Sequence, residues 1–248
     1  MSVLILRLAG PLQAWGASAR FVRRTTEPAP TKSGVIGMLA AAKGLDRSDD
    51  TALARLASLR FGVRIDQPGT RLRDFQTAHH AVTGKSMPLS ERFYLADAVF
   101  VAALEGDRAF LHELDTALRA PAHPLFLGRR SCPPSLPVEL AVHDTSLRQA
   151  LHDEPWQAAD WYQRLRRKEP TVSLTVLREP GPGEQHGETL RDQPLSFAAA
   201  HRRHALRPLV STTVEMHNPR AAAVHCGPGA TRPVPHHDPF DAVTEEAR

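Results

Sequence analysis

Leu59-Arg60-Phe61-Gly62-Val63-Arg64-Ile65-Asp66 alternates apolar and polar residues, the period-two pattern of a strand with one buried and one wet face. That reading puts Arg60 and Arg64 together on the outer face. Just upstream, Ser48 followed by Asp49-Asp50 is an N-cap with acids in the first turn, and Leu53, Leu56 and Leu59 recur at helical spacing. Further back, Val3-Leu4-Ile5-Leu6-Arg7-Leu8 reads as a buried first strand stopped by Gly10-Pro11. Between them lie a basic loop, residues 20–30, and a helix opened by Thr31-Lys32-Ser33-Gly34 and ended near Gly44.

Downstream, Gln67-Pro68-Gly69 turns the chain into a strand, Thr70 to Phe75, with Arg71 and Arg73 on one side. Residues 76–90 carry no core pattern and read as a protruding loop or hairpin. Apolar density returns from Phe93 to Leu104, with a central strand at Val99-Phe100-Val101. A helix then starts at Gly106-Asp107, with Phe110, Leu111, Leu114 and Leu118 on one face. Pro124-Leu125-Phe126-Leu127 reads as the last core strand. The order is β-α-β-β-α-β, an α+β, ferredoxin-like (RRM-like, split βαβ) plan also used by RNA-recognition folds. Residues 1–135 hold that unit. Residues 136–214 form a β-rich extension, with a helix near 145–151, an aromatic patch at Trp156, Trp161 and Tyr162, and strands near 171–178 and 206–214. Residues 215–248, rich in Pro and Gly, have no run able to bury apolar surface and are expected to be disordered.

The chain has 248 residues, enough for a substantial core. Its longest early apolar run is far too short to span a bilayer or serve as a signal core. Only two cysteines, Cys132 and Cys226, are present, too few for a disulfide framework in a chain of this size, so a cytoplasmic protein without membrane contact is expected. The net charge of +4 conceals an asymmetry: residues 1–100 carry 14 Lys and Arg against 8 acids, whereas the remainder carries 17 against 19. Guanidinium groups concentrated in the first part suit phosphate, because the planar fork engages two oxygens at once.

Three separated segments supply those cations: the 20–32 loop with Arg20, Arg23, Arg24 and Lys32, the strand with Arg71 and Arg73, and Arg129-Arg130. Gly128-Arg129-Arg130-Ser131 combines a glycine for close backbone approach, two guanidiniums and a hydroxyl before rigidifying prolines, the make-up of a phosphate clamp. No C-x-x-C or H-E-x-x-H spacing occurs, and His225-Cys226 and His236-His237 fall in the tail, so no metal and no cofactor is expected. Metal-free RNA cleavage needs a base, an acid and a cation, for which His79, His80, Lys85 and Tyr94 are the available groups.

Arg7-Leu8-Ala9-Gly10-Pro11-Leu12-Gln13-Ala14-Trp15-Gly16, Pro30-Thr31-Lys32-Ser33-Gly34 with Gly37, Leu72-Arg73-Asp74-Phe75 and Leu127-Gly128-Arg129-Arg130-Ser131-Cys132-Pro133, with an echo at Arg191-Asp192-Gln193-Pro194, together resemble the CasD family. These are the fifth-type Cas subunits of the type I-E CRISPR Cascade complex. The resemblance implies a ferredoxin-like palm that holds the 5′ handle of the CRISPR RNA and caps the backbone filament in antiviral defence. It also implies an inserted β-hairpin thumb, here about residues 76–92 with His80, Lys85 and Met87. Carried over, Gln13 and Trp15 belong to the loop after the first strand, and Lys32, Ser33 and Gly34 open a helix whose free N–H groups meet phosphate or the RNA end. Arg73 leads into the thumb, His79 joins the RNA-binding set, and Arg129 and Arg130 contact the handle or hold the palm together. The alternative for these two is a structural salt bridge to a core carboxylate such as Asp74. The implied partners are CRISPR RNA, the CasC-type backbone subunit and the CasA-type large subunit, with target DNA reached indirectly through the complex. The branch it resembles is non-catalytic; a related branch cleaves precursor RNA with Tyr, His and Lys, for which Tyr94, His80 and Lys85 stand ready.

Overall fold

Val3 and Ile5 point to one side of β1 (Ser2–Ala9) and Leu4, Leu6 and Leu8 to the other, and all five are buried. The first strand is therefore covered on both faces, which is why it reads as a continuous apolar run. The computed structural model describes residues 1–16, 23–185 and 187–222. In it β1 pairs antiparallel with β7 (Val99–Gly106) on one side and β8 (Glu139–His143) on the other. β7 in turn pairs with β4 (Arg60–Gln67). The same sheet continues through β9 (Thr171–Arg178), β11 (Arg203–His217) and β10 (Glu188–Ser196), giving the order β10-β11-β9-β4-β7-β1-β8 with every neighbouring pair antiparallel.

Helices α1 (Lys32–Ala42), α2 (Asp50–Ala57) and α3 (Arg108–Arg119) cover one face of the sheet, where Leu4, Leu6, Leu8, Phe61, Phe100 and Leu104 meet Ile36, Leu39, Leu56, Leu111 and Leu114. Each helix starts on a side-chain cap: Thr31 accepts from the Gly34 N–H, Asp49 from Ala52 and Asp107 from Phe110. The cap of α2 is thus Asp49, one residue past the Ser48 expected from the sequence. On the opposite face α4 (Leu147–Asp153) and Trp156 pack against Val3, Ile5, Val101, Ala103, Val172 and Val176. The short helix α5 (Asp160–Leu165) follows.

That second layer corrects the reading of β4. Arg60 lies part-exposed at its start, beside Glu105, but Arg64 is fully buried. Its guanidinium donates to Asp66 at 2.7 and 2.9 Å and to the carbonyl oxygens of Leu151, Glu154 and Pro155. The face read as wet is roofed by α4 and the 154–157 turn, and a buried guanidinium survives there only because its donors are satisfied.

Residues 124–127 are not a strand. Leu127 is buried in a loop held by its N–H to the Cys132 carbonyl and by the Ala14 N–H to its own, and the strand beside β1 is β8, past position 135. The apolar run has a packing cause without a ladder. At the other end β11 runs on to His217, and Asn218 is buried with its amide donating to the Gln163 and Arg166 carbonyls. The expected unstructured segment therefore does not begin at 215; residues 223–248, with His225, Cys226, His236 and His237, lie outside the described residues. Among the described residues no helix is long and apolar enough to cross a membrane.

Candidate nucleic-acid interface

A second, smaller sheet carries five of the expected RNA-binding residues, Gln13, Arg23, Arg24, Arg71 and Arg73. β5 (Thr70–Gln76) and β6 (Ser90–Ala96) pair antiparallel from Thr70 opposite Ala96 to Gln76 opposite Ser90. Along the other edge of β6 run β2 (Leu12–Gln13) and β3 (Arg23–Arg24), the latter parallel, with Arg23 beside Glu91. The register puts Arg71, Arg73 and Phe75 on one face of β5, across from Leu95, Phe93 and Glu91.

The side chains meet accordingly. The guanidiniums of Arg23 and Arg71 lie 5.3 and 4.8 Å from the Phe93 ring centroid, and that of Arg73 lies 4.6 Å from Phe75. One acid, Glu91, stands 3.7 Å from Arg23 and 4.0 Å from Arg73. Arg23, Arg71 and Arg73 outnumber the carboxylates beside them, Glu91 and the half-buried Glu27, and leave a positive face, with Phe75 48% exposed at the hairpin end of the row. Glu27 connects this face to the interior: burial and the Asp192 charge raise its pKa, and Arg71 partly offsets them. So the basic loop and the β5 strand, distant in sequence, do converge; Arg20 lies outside the described residues. Arg24 is exposed at the edge of the same sheet.

Other expected contacts are corrected. Arg129 is half-buried and takes the second of its two expected roles, holding the palm together: it stacks 4.7 Å over the Tyr94 ring and donates to the carbonyl oxygens of Phe93 and Arg24 at 2.9 Å and of Thr25 at 3.4 Å. It ties β6 to the basic loop through carbonyls, with no bond to Asp74, which accepts from Gln76 instead. Gly128 does permit a close backbone approach, but to its own chain. Its φ is +90°, and a Cβ there would lie 1.8 Å from the Ala14 carbonyl oxygen. Arg130 alone of this pair is exposed.

Gln13 and Trp15 are fully buried and cannot touch RNA. The Gln13 amide donates to the Leu8 and Ala98 carbonyls at 3.0 and 2.7 Å and accepts from the Trp15 indole at 3.0 Å. The Trp15 ring in turn packs on Gly34, where a Cβ would sit 2.8 Å from it. Lys32 and Ser33 are buried as well. The Lys32 N–H donates to Asp192 at 2.8 Å and its ammonium to Glu179 at 2.9 Å. Burial lowers the Lys32 pKa and Glu179 partly restores it. Asp192, itself fully buried, also holds Arg207 through two bonds of 2.7 and 2.8 Å. A carboxylate of the same chain thus occupies the start of α1 where an RNA phosphate was expected.

His79, His80, Lys85 and Met87 stand on the exposed hairpin beyond β5 and β6, closed by the His80 N–H to the Lys85 carbonyl and the Met87 N–H to Ala78. His79 Nδ1 lies 3.2 Å from the Gly84 carbonyl, and His80 Nδ1 accepts from the Val82 and Thr83 N–H groups. Tyr94 is apart from them: buried under Arg129, its hydroxyl 3.4 Å from Ser131. Among the described residues no group of three or more His, Cys, Asp or Glu side chains is placed to hold a metal ion. Sequence reasoning missed Phe75 and Phe93 as ring partners, although the alternation that aligned Arg71 with Arg73 also aligns Phe75. It also missed the Asp192 contacts, for which no local pattern exists.

Comparison with known proteins bears on this arrangement. The family described as CRISPR-associated protein (Cas_Cas5) matches residues 3–210. The CRISPR system Cascade subunit CasD of Escherichia coli (strain K12) is 33% identical over 212 residues, spanning 78% of this chain and 89% of CasD. A crystal structure of a Cas protein superposes with a TM-score of 0.67 at 36% identity, covering 88% of this chain and 97% of the other. A chain of a CRISPR RNA-guided surveillance complex superposes with a TM-score of 0.71 at 34% identity, covering 92% and 94%.

Proposed function

The chain belongs to the CRISPR-associated Cas5 family, and from that premise we propose that it is a CRISPR RNA-binding subunit of a Cascade-type surveillance complex, one that grips the 5′ handle of the guide without cutting it. The observation that carries the reading is the convergence of Arg23, Arg71 and Arg73 around Phe93 and Phe75. Guanidiniums supply phosphate contacts, and an exposed ring among them supplies a surface on which a splayed base stacks.

The finer anatomy follows. The order β8-β1-β7-β4, in which helix-linked β1 and β4 flank β7, is the order a split βαβ plan makes, so this half of the sheet is the ferredoxin-like palm. The hairpin of residues 77–89, exposed throughout and bearing Val82, Met87 and Leu89, is the thumb. It reaches across the guide and docks on the CasC-type backbone subunit, while the CasA-type subunit and target DNA are met through the assembled complex. Within the palm, Arg129 is a positioning residue that fixes the loop from which Arg23 and Arg24 project.

A non-catalytic role is supported by the separation of the candidate groups: Tyr94 is buried under Arg129, whereas His80 and Lys85 sit on the exposed hairpin. A base, an acid and a cation acting on one phosphate must lie within hydrogen-bond reach of it. The test is to incubate the purified chain with precursor repeat RNA in chelator. Binding with the RNA left intact is expected; a discrete product lost on Tyr94→Phe or His80→Ala would overturn the reading.

A further inference from the structure

One aromatic surface stands apart from the β5–β6 face. In α5, Trp161 and Leu165 are one helical turn apart and 56% and 72% exposed. The indole is not loose. Its ring meets Tyr162 edge to face, 5.6 Å apart at 88°, and Tyr162 meets the buried Trp156 in the same way, 6.1 Å apart at 70°. This ladder fixes Trp161 to the core while its perpendicular contact leaves ring face open to solvent.

The surroundings are cationic. Residues 160–169 contain four Arg and Lys against two acids. Arg164 pairs with Asp160 and Arg166 with Glu169, whereas Arg167 and Lys168 are exposed without a side-chain partner among the described residues. The segment after β11 braces the patch. Asn218 bonds the Gln163 and Arg166 carbonyls, Arg220 pairs with Asp160, and the Ala222 N–H donates to the Arg167 carbonyl. The result is a rigid, open aromatic ring beside unpaired cations, held by four separate contacts.

We propose that this surface is a second nucleic-acid contact, for a single strand other than the bound guide segment, with Trp161 stacking on a base and Arg167 and Lys168 facing the phosphates. A polyanion with stackable rings fits both halves of the patch: an acidic peptide satisfies the cations but leaves the indole and Leu165 wet, and an apolar peptide does the reverse. Recognition by stacking plus phosphate contact is tolerant of sequence, so the strand is chosen by where it runs.

The test uses the full chain saturated with repeat-derived RNA and titrated with oligo(dT), a pyrimidine single strand. Trp15 and Trp156 are buried, so quenching of the indole emission reports Trp161. Expected are quenching and a dissociation constant raised about tenfold by Trp161→Ala, with most of the affinity kept by Trp161→Phe. Arg167→Ala with Lys168→Ala should flatten the salt dependence. Arg71→Ala with Arg73→Ala should leave oligo(dT) binding in place, which separates failure here from failure of the guide-binding reading. The proposal is overturned if Trp161→Ala, folded by circular dichroism, binds oligo(dT) as the parent does. It is also overturned if that variant leaves oligonucleotide affinity unchanged but weakens assembly with the backbone subunit, an outcome that makes the patch a protein interface.

Discussion

Gly128 shows how a residue chosen for one reason serves another. Read from sequence, it was space for an approaching phosphate; the approaching backbone is Ala14, whose carbonyl oxygen a Cβ would meet at 1.8 Å at a φ of +90°. Gly128→Ala is expected to cost about 3 kcal/mol or more, read as a lowered urea midpoint. The same lesson applies to Gln13, Trp15, Lys32 and Ser33. Their identities and order were legible, but burial is settled by what packs over them: Trp15 meets Gly34 from a later segment, and Lys32 meets Asp192, 160 residues on. Arg129 and Arg130, adjacent in sequence, part company for that reason. Arg129→Ala should loosen the basic loop and lower thermal stability together with RNA affinity, whereas Arg130→Ala should leave stability unchanged; equal melting temperatures for the two would contradict the assignment.

At the scale of elements, strands and helices with a clear period were readable: α1, α2, α3, β1, β4, β7, β9 and the body of β11 fall where alternation and caps put them. β8 was missed because its five residues are all half-buried or exposed at a sheet edge, and β10 because two register shifts break its alternation. What joins β10 and β11 to α1 is a buried charge cluster that no local pattern announces. Asp192→Ala strips Arg207 and the Lys32 N–H of their acceptor at once, and a loss of about 3–5 kcal/mol is expected in denaturant melts; pairing it with Arg207→Met should recover much of that loss. The turn after β9 has its own signature. Hydrogen bonds from Arg178 and the Gly181 N–H lower the Glu184 pKa to about 2 from 4.5. A depressed folded pKa contributes stability that is present above pH 4.5 and is lost as pH falls toward 2. Glu184→Gln should therefore show a shallower loss of stability with acid across that window, and a slope equal to the parent's would remove the pair from the account.

For the molecule as a whole, the charge asymmetry of the sequence was a partial guide: Arg23, Arg24, Arg71 and Arg73 do share the small sheet, whereas Arg7, Arg60 and Arg64 lie in the large one and Arg55 on α2. Removing residues 77–89 from the chain, bridged by Gly-Gly, should leave the melting temperature nearly unchanged, because those residues are exposed, while assembly with the backbone subunit is lost. Chromatography showing full complexes with the shortened hairpin would refute the thumb. The central claim, that Arg23, Arg71 and Arg73 bind guide phosphates, is tested most directly by the salt dependence of affinity for repeat-derived RNA. The triple Ala variant should lose affinity and show a log–log slope reduced by about 2, near 0.7 for each single-strand phosphate contact removed. A slope identical to the parent's, at any affinity, would contradict the account.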